Sequence, residues 1–214
     1  MSYNVQGMVK HLWTIADLLD SYQPHLVMLQ ETKMHKLEET STDNKLGSER
    51  KFYLNADDQY ETDFGDRIAA NSKQAHHGTG TIVNIEVVGK NFIVSEPVTA
   101  RLQHIRMNGI NYVNAYLPTR DESELGRAKL TESLADLDAI LEPLKGETII
   151  IAGDLNVGKL HGPWRREQFR SLFTKHDLTL FSPKTPTNFP RGGGAPQALD
   201  HLVCTSDVSV LYKE

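Results

Sequence analysis

Apolar positions recur along this chain at two periods, and their alternation outlines many strands with a few helices between them. Residues 2–6 alternate as a short strand. Val9, Leu12, Trp13, Ile15, Ala16, Leu18 and Leu19 then recur at helical spacing as far as Tyr22, with Trp13 read as core and Pro24 closing the segment. His25–Gln30 reads as a buried strand that ends at Gln30-Glu31-Thr32. Residues 33–72 are polar and charge-rich, a surface excursion with one or two helical turns, in which Phe52, Tyr53 and Leu54 are the best strand candidate. Gly78-Thr79-Gly80 leads into a strand running from Thr81 to Val88. Further β-rich runs follow at 91–95, 99–107 and 110–117, the last stopped by Pro118. Leu130, Leu134, Leu137, Ile140, Leu141 and Leu144 mark a helix within 121–144, with Asp121 or Ser123 as N-cap. Glu167–His176 reads as a helix and Leu178–Phe181 as a short strand. A Pro- and Gly-rich loop spans 182–197, Ala198–Thr205 is a strand, and Val208–Tyr212 begins another. Strands with helices between some of them predict an α/β (α+β) architecture of two packed sheets flanked by helices.

The stretch from Thr148 to Gly158 organises the rest. Ile149, Ile150, Ile151 and Ala152 form an apolar run suited to a strand buried on both faces. Gly153 ends it, and Asp154 and Asn156 follow two residues apart, on one face if the backbone stays extended. The plain reading is a turn after a strand.

Composition narrows the class. With 214 residues, 39% hydrophobic and 24% charged, the chain has the make-up of an ordinary globular domain. It has no apolar run long enough to span a bilayer and no signal-peptide pattern, so no membrane role is expected. Cys204 is the single cysteine, which excludes an intrachain disulfide and makes an intracellular location, nuclear or cytoplasmic, the expectation. A net charge of −5 argues against bulk electrostatic binding of nucleic acid, but not against an enzyme that grips a phosphate chain locally.

Polar residues stand where buried strands end: Asn4, Glu31, Tyr116, Asp154 and Asn156. Asp200 lies inside the last strand between Leu199 and Leu202, where a carboxylate is costly unless bonded or coordinated. Each alone also fits a structural role, as a helix-start charge, an edge tyrosine or a partner for a backbone amide.

The order N-V-Q-G, L-Q-E-T, H-G-T-G, N-A-Y-L-P-T, I-A-G-D-L-N-V-G, L-D-H-L-V resembles the endonuclease/exonuclease/phosphatase superfamily over essentially the whole chain. Within it the chain is most similar to abasic-site endonucleases and to endonuclease domains of non-long-terminal-repeat retroelements. The resemblance implies a DNase I-like, four-layer α/β-sandwich of two mixed sheets lacking the last strand, formed by one domain over 1–214. It implies a metal-dependent phosphodiesterase, a DNA endonuclease, acting as a monomer or as part of a longer polyprotein. Glu31 matches the principal metal ligand with Asn4 beside it, an oxygen set suited to Mg²⁺ or Mn²⁺. Asp154 matches the residue that activates the attacking water or handles the leaving-group proton. Asn156 and Tyr116 match residues that hold the phosphate, and Asp200 matches an aspartate that orients a catalytic histidine.

Two departures from the family pattern stand out. Gln6 replaces a frequent aspartate, which weakens a second metal position. No terminal Ser-Asp-His motif is present, because Ser206-Asp207 is followed by Val208, and alternation turns His201 away from the face Asp200 uses. A C-terminally incomplete domain is therefore expected, with activity in doubt. Arg165 and Arg166, with Arg170, are candidate contacts to a DNA backbone, or else a solvated helix face. Phe189 and Arg191 lie where such nucleases place a groove-probing residue, whereas His76 and His77 read as loop. A phosphatase acting on a small or lipid ester, or an impaired fragment that only binds, are the alternatives.

Overall fold

A computed structural model describes residues 1–6, 8–33, 46, 50–55, 78–89, 91–95, 99–119, 121–158, 162–187 and 195–209. Two mixed sheets pack face to face. The first runs β1 (Ser2–Asn4), β2 (Leu26–Gln30), β4 (Thr79–Asn84), β3 (Arg50–Asn55). The second runs β5 (Phe92–Val94), β6 (Leu102–Met107), β7 (Ile110–Tyr116), β8 (Ile149–Asp154), β10 (Asp200–Thr205), β9 (Leu178–Phe181). The β1–β2 and β7–β8 pairs are parallel, and the other neighbours are antiparallel.

The alternation of side chains across each strand builds the layers. In β2, Val27 and Leu29 meet helix α1 (Met8–Tyr22), while Leu26 and Met28 face the second sheet. In β8, Ile149 and Ile151 pack under helices α3 (Glu124–Leu141) and α4 (Pro163–Lys175), whereas Ala152 faces inward. The result is a four-layer α/β sandwich with a core on the outer side of each sheet and a third core between them.

Several expectations are corrected. Trp13 is 79% exposed. The buried stripe of α1 is Met8, Leu12, Ile15 and Leu19, and Trp13 sits one residue beyond that stripe. The strand expected through Val88 stops at Asn84, whose side chain accepts the amide N–H groups of Glu86 and Val87 and starts a one-turn helix, α2 (Ile85–Val88). α4 begins at Pro163, earlier than expected, because proline suits the first helical position. Ser123 is the N-cap of α3, and the Asp121 carboxylate accepts the Ser123 N–H instead. Val208 and Ser209 are not a strand, and 210–214 lie outside the described residues, as does most of 33–72.

Candidate active site

The inward-facing rows of both sheets end at one edge of the sandwich, and the candidate residues gather there. Asn4 closes β1, Glu31 follows β2, Tyr116 closes β7, Asp154 closes β8 and Asp200 opens β10. In register, Asp154 lies beside Tyr116 on one side and opposite Asp200 on the other. Asn4 Nδ2 donates to Glu31 Oε1 at 2.9 Å and to Asp154 Oδ2 at 3.0 Å. Two oxygens that share one donor nitrogen stand within about 6 Å of each other, so carboxylates 123 residues apart in sequence meet in one cluster.

The local backbone is unusual at two of these positions. Glu31 (φ 53°) and Asn156 (φ 49°) both occupy the left-handed region. Asp154 and Asn156 are therefore not two residues of an extended strand, as their spacing suggested. The Asn156 N–H donates to Asp154 Oδ1 at 3.0 Å, and Asn156 Nδ2 donates to Leu117 O at 2.9 Å, its side-chain oxygen having no hydrogen-bond partner among the described residues. This turn fixes the Asp154 carboxylate instead of leaving it to a flexible loop end.

Electrostatics single out the same group. Burial pushes the Asp154 carboxyl up to about 7, and the facing charges of Asp200 and Glu31 add to that. Asp200 is also raised, chiefly by burial, and its Oδ1 is buried with no hydrogen-bond partner among the described residues. Lys33 Nζ lies 3.1 Å from Glu31 Oε2, and the buried Arg165 guanidinium acts electrostatically on Asp154 from behind the site. A concentration of oxygen donors with raised proton affinity and one orphaned carboxylate oxygen fits a hard divalent cation. Glu31 would be the residue to hold such an ion, beside the Asp154 carboxylate. Asn4 shows its nitrogen to both carboxylates while its oxygen accepts the Gln6 N–H at 3.2 Å, so coordination by Asn4 requires its amide to turn over.

The remaining candidates divide. Tyr116 is buried, its amide donating to Arg101 O and its ring facing the Arg101 guanidinium at 5.2 Å. Asp200 meets no imidazole among the described residues. His201 projects from the opposite face of β10, where Nε2 donates to Val157 O and burial holds its pKa down. Arg165 is not a surface contact: it is 2% exposed, donating Nε to Asn156 O at 2.8 Å and Nη2 to Pro118 O. Arg166 and Arg170 are exposed on α4, with Arg170 paired to Glu167. Phe189 and Arg191, and His76 and His77, lie outside the described residues.

Sequence reasoning missed Arg101, whose only signal was its place before the β6–β7 hairpin. It also missed Asn114, which lies two residues before Tyr116 on the same strand face. Another possible ligand group, Asp138, Glu142 and His176, sits at the far ends of α3 and α4. Lys175 Nζ already stands 2.7 Å from Asp138 and 3.2 Å from Glu142, and His176 Nε2 lies 2.6 Å from Asp138, so this cluster is a helix-to-helix ion-pair network.

The sequence profile of the endonuclease/exonuclease/phosphatase family matches residues 1–213. The chain belongs to that family. No curated protein matches it in sequence. Among solved structures, an AP endonuclease from Archaeoglobus fulgidus superposes with a TM-score of 0.70 at 16% identity, over 95% of this chain and 85% of that one. A 3′-5′ exonuclease from Neisseria meningitidis gives 0.69 at 15% identity over 95% and 85%, and an AP endonuclease from Leishmania major gives 0.68 at 17% over 96% and 78%. At such identity the likeness is one of fold, and it agrees with the DNase I-like sandwich described above. Family and fold together make this chain a hydrolase-type member of the nuclease and phosphatase superfamily.

Proposed function

We propose that this chain is a divalent-metal-dependent phosphodiesterase whose substrate is DNA, cut internally by an activated water. The observation that carries this reading is the Glu31–Asn4–Asp154 cluster, flanked by Tyr116 and Asn156 at a single edge of the sandwich. Glu31, with Asn4 once its amide turns, would hold Mg²⁺ or Mn²⁺, which when bound supplies positive charge to a phosphate oxygen.

The chain's own groups account for the rest. Asp154, with its pKa near neutrality, is suited to accept the proton of a water attacking phosphorus. The side-chain amide of Asn156 and the Tyr116 hydroxyl are donors for the phosphate oxygens on which charge develops. Arg101, stacked on Tyr116, brings a guanidinium to the same rim for a neighbouring phosphate. Such local grips suit a chain whose net charge is −5. Two structural relatives are described as AP endonucleases and another as a 3′ phosphatase bound to a DNA hairpin, which supports a DNA phosphate as the target.

The test is nicking of supercoiled plasmid by the purified chain with Mg²⁺ and with chelator. Metal-dependent nicking that Glu31→Ala and Asp154→Ala each abolish is expected. Phosphate released from small or lipid esters without nicking assigns the centre to a phosphatase. Metal binding without turnover on any ester leaves a binding fragment.

A further inference from the structure

The site as described leaves one charge in the interior without a task. Arg165 stands in the first turn of α4 among the largest fully buried side chains of the molecule. Its guanidinium faces two backbone carbonyls from different strand exits, Asn156 O beyond β8 and Pro118 O beyond β7. The same two exits are joined twice more: Leu117 N–H donates to Asp154 O at 3.0 Å, and Asn156 Nδ2 donates to Leu117 O at 2.9 Å. Phe169, one helical turn along α4, places its ring 5.8 Å from the guanidinium carbon and limits how that plane can swing.

We propose that Arg165 is a positioning residue, whose planar fork clamps the β7 and β8 exits together and so fixes Asn156 and Tyr116 about Asp154. The inference rests on the hydrolase reading of this site. A guanidinium suits the task because it carries several donors at fixed angles, so it can span two carbonyls at once; an ammonium acts as a point. The clamp also answers a local difficulty. Asn156 holds a left-handed backbone, which persists only when its surroundings over-determine it, and the bond to its carbonyl supplies one of those restraints. Displacing catalytic donors by about 1 Å costs on the order of a hundredfold in rate. A buried arginine nine residues from the nearest site residue it serves, Leu117 and Pro118 being 48 and 47 residues away, can therefore govern turnover without touching substrate.

The test compares Arg165→Met and Arg165→Lys with the parent chain. Plasmid nicking is expected to lose about a hundredfold in kcat in Arg165→Met with KM within about threefold, and Arg165→Lys is expected to recover part of the loss. A kcat unchanged in a folded Arg165→Met overturns the proposal, as does a loss confined to KM. Amide hydrogen exchange gives a readout that needs no activity. The Asn156 and Leu117 amides are expected to exchange at least about tenfold faster in Arg165→Met, while the Ile151 amide in the core keeps its protection. Equal exchange at Asn156 overturns the clamp, and so does an equal acceleration at Ile151, which marks a merely global role. If Arg165→Met does not fold, the same comparison is made on Arg165→Lys, where unaltered exchange and kcat overturn the proposal. A parent chain that never nicks DNA removes the DNA-endonuclease reading, while the exchange result still decides the clamp.

Discussion

At the scale of single residues, Asp154 carries most of the proposed chemistry and a cost in stability with it. Its carboxyl is raised to about 7 in the folded chain, first by burial and then by the facing acids. In the unfolded chain it titrates near 4, so between those values the folded state binds more protons. Its contribution to stability is therefore fully present below about pH 4 and is lost as pH rises through about 7. Asp154→Asn keeps the shape but cannot ionise. With chelator present, this variant is expected to match the parent at pH 4 and to exceed it by about 2–4 kcal/mol at pH 8, from three pKa units of about 1.4 kcal/mol each discounted for the neighbouring acid. Urea denaturation at the two pH values reads this directly, and equal stability at pH 8 refutes the buried, crowded carboxylate. The same substitution is expected to slow turnover about 10²- to 10⁴-fold, so the group that destabilises the metal-free fold is the one the proposed reaction needs.

At the scale of elements, β8 depends on one glycine. Gly153 has φ 148°, and a Cβ there meets Ala115 O at 1.9 Å across the parallel β7–β8 pair. Gly153→Ala is expected to cost about 3 kcal/mol or more, read as a lowered urea midpoint, because both backbone conformation and strand spacing oppose the methyl. On α1 the expectation reverses for a larger residue. Trp13→Ala is expected to change stability by less than about 0.5 kcal/mol and Leu12→Ala by about 2–4, since only Leu12 is buried. These cases mark where the chain was legible. The apolar runs of β2 and β8 were readable because burial on both faces leaves few polar positions. The misreadings fall where a side chain bonds the backbone, as at Asn84 and Asn156, or where an apolar residue lies off the buried stripe, as at Trp13.

At the scale of the whole molecule, site assembly depends on how one sheet seats on the other, and no local pattern encodes that. The motifs at Glu31, Tyr116 and Asp154 were visible as strand ends and Asp200 as a carboxylate inside an apolar strand, but their meeting point is set by polar contacts between sheets whose partners lie far apart in sequence. Asn114 of β7 reaches across the sandwich: its Nδ2 donates to Leu29 O and Gly80 O, each at 3.0 Å, and its Oδ1 accepts from Gln30 Nε2 at 2.8 Å. Thr81 Oγ1 donates to Gln103 Oε1 at 2.6 Å further along the same interface. Gln30 immediately precedes Glu31, so Asn114 links the strand that carries Tyr116 to the turn that carries the glutamate. Asn114→Leu fills the volume but removes three hydrogen bonds between the sheets, each worth about 0.5–1.5 kcal/mol, while Gln30 Nε2 keeps Ser2 Oγ and Met28 O. A loss of about 3 kcal/mol in urea denaturation is therefore expected, with nicking slowed beyond what the unfolded fraction explains, because Glu31 and Tyr116 no longer share a fixed spacing. A loss under about 1 kcal/mol would mean that apolar packing of Leu26, Met28 and Ala152 against one another seats the sheets unaided, and that the buried amides are dispensable to the site.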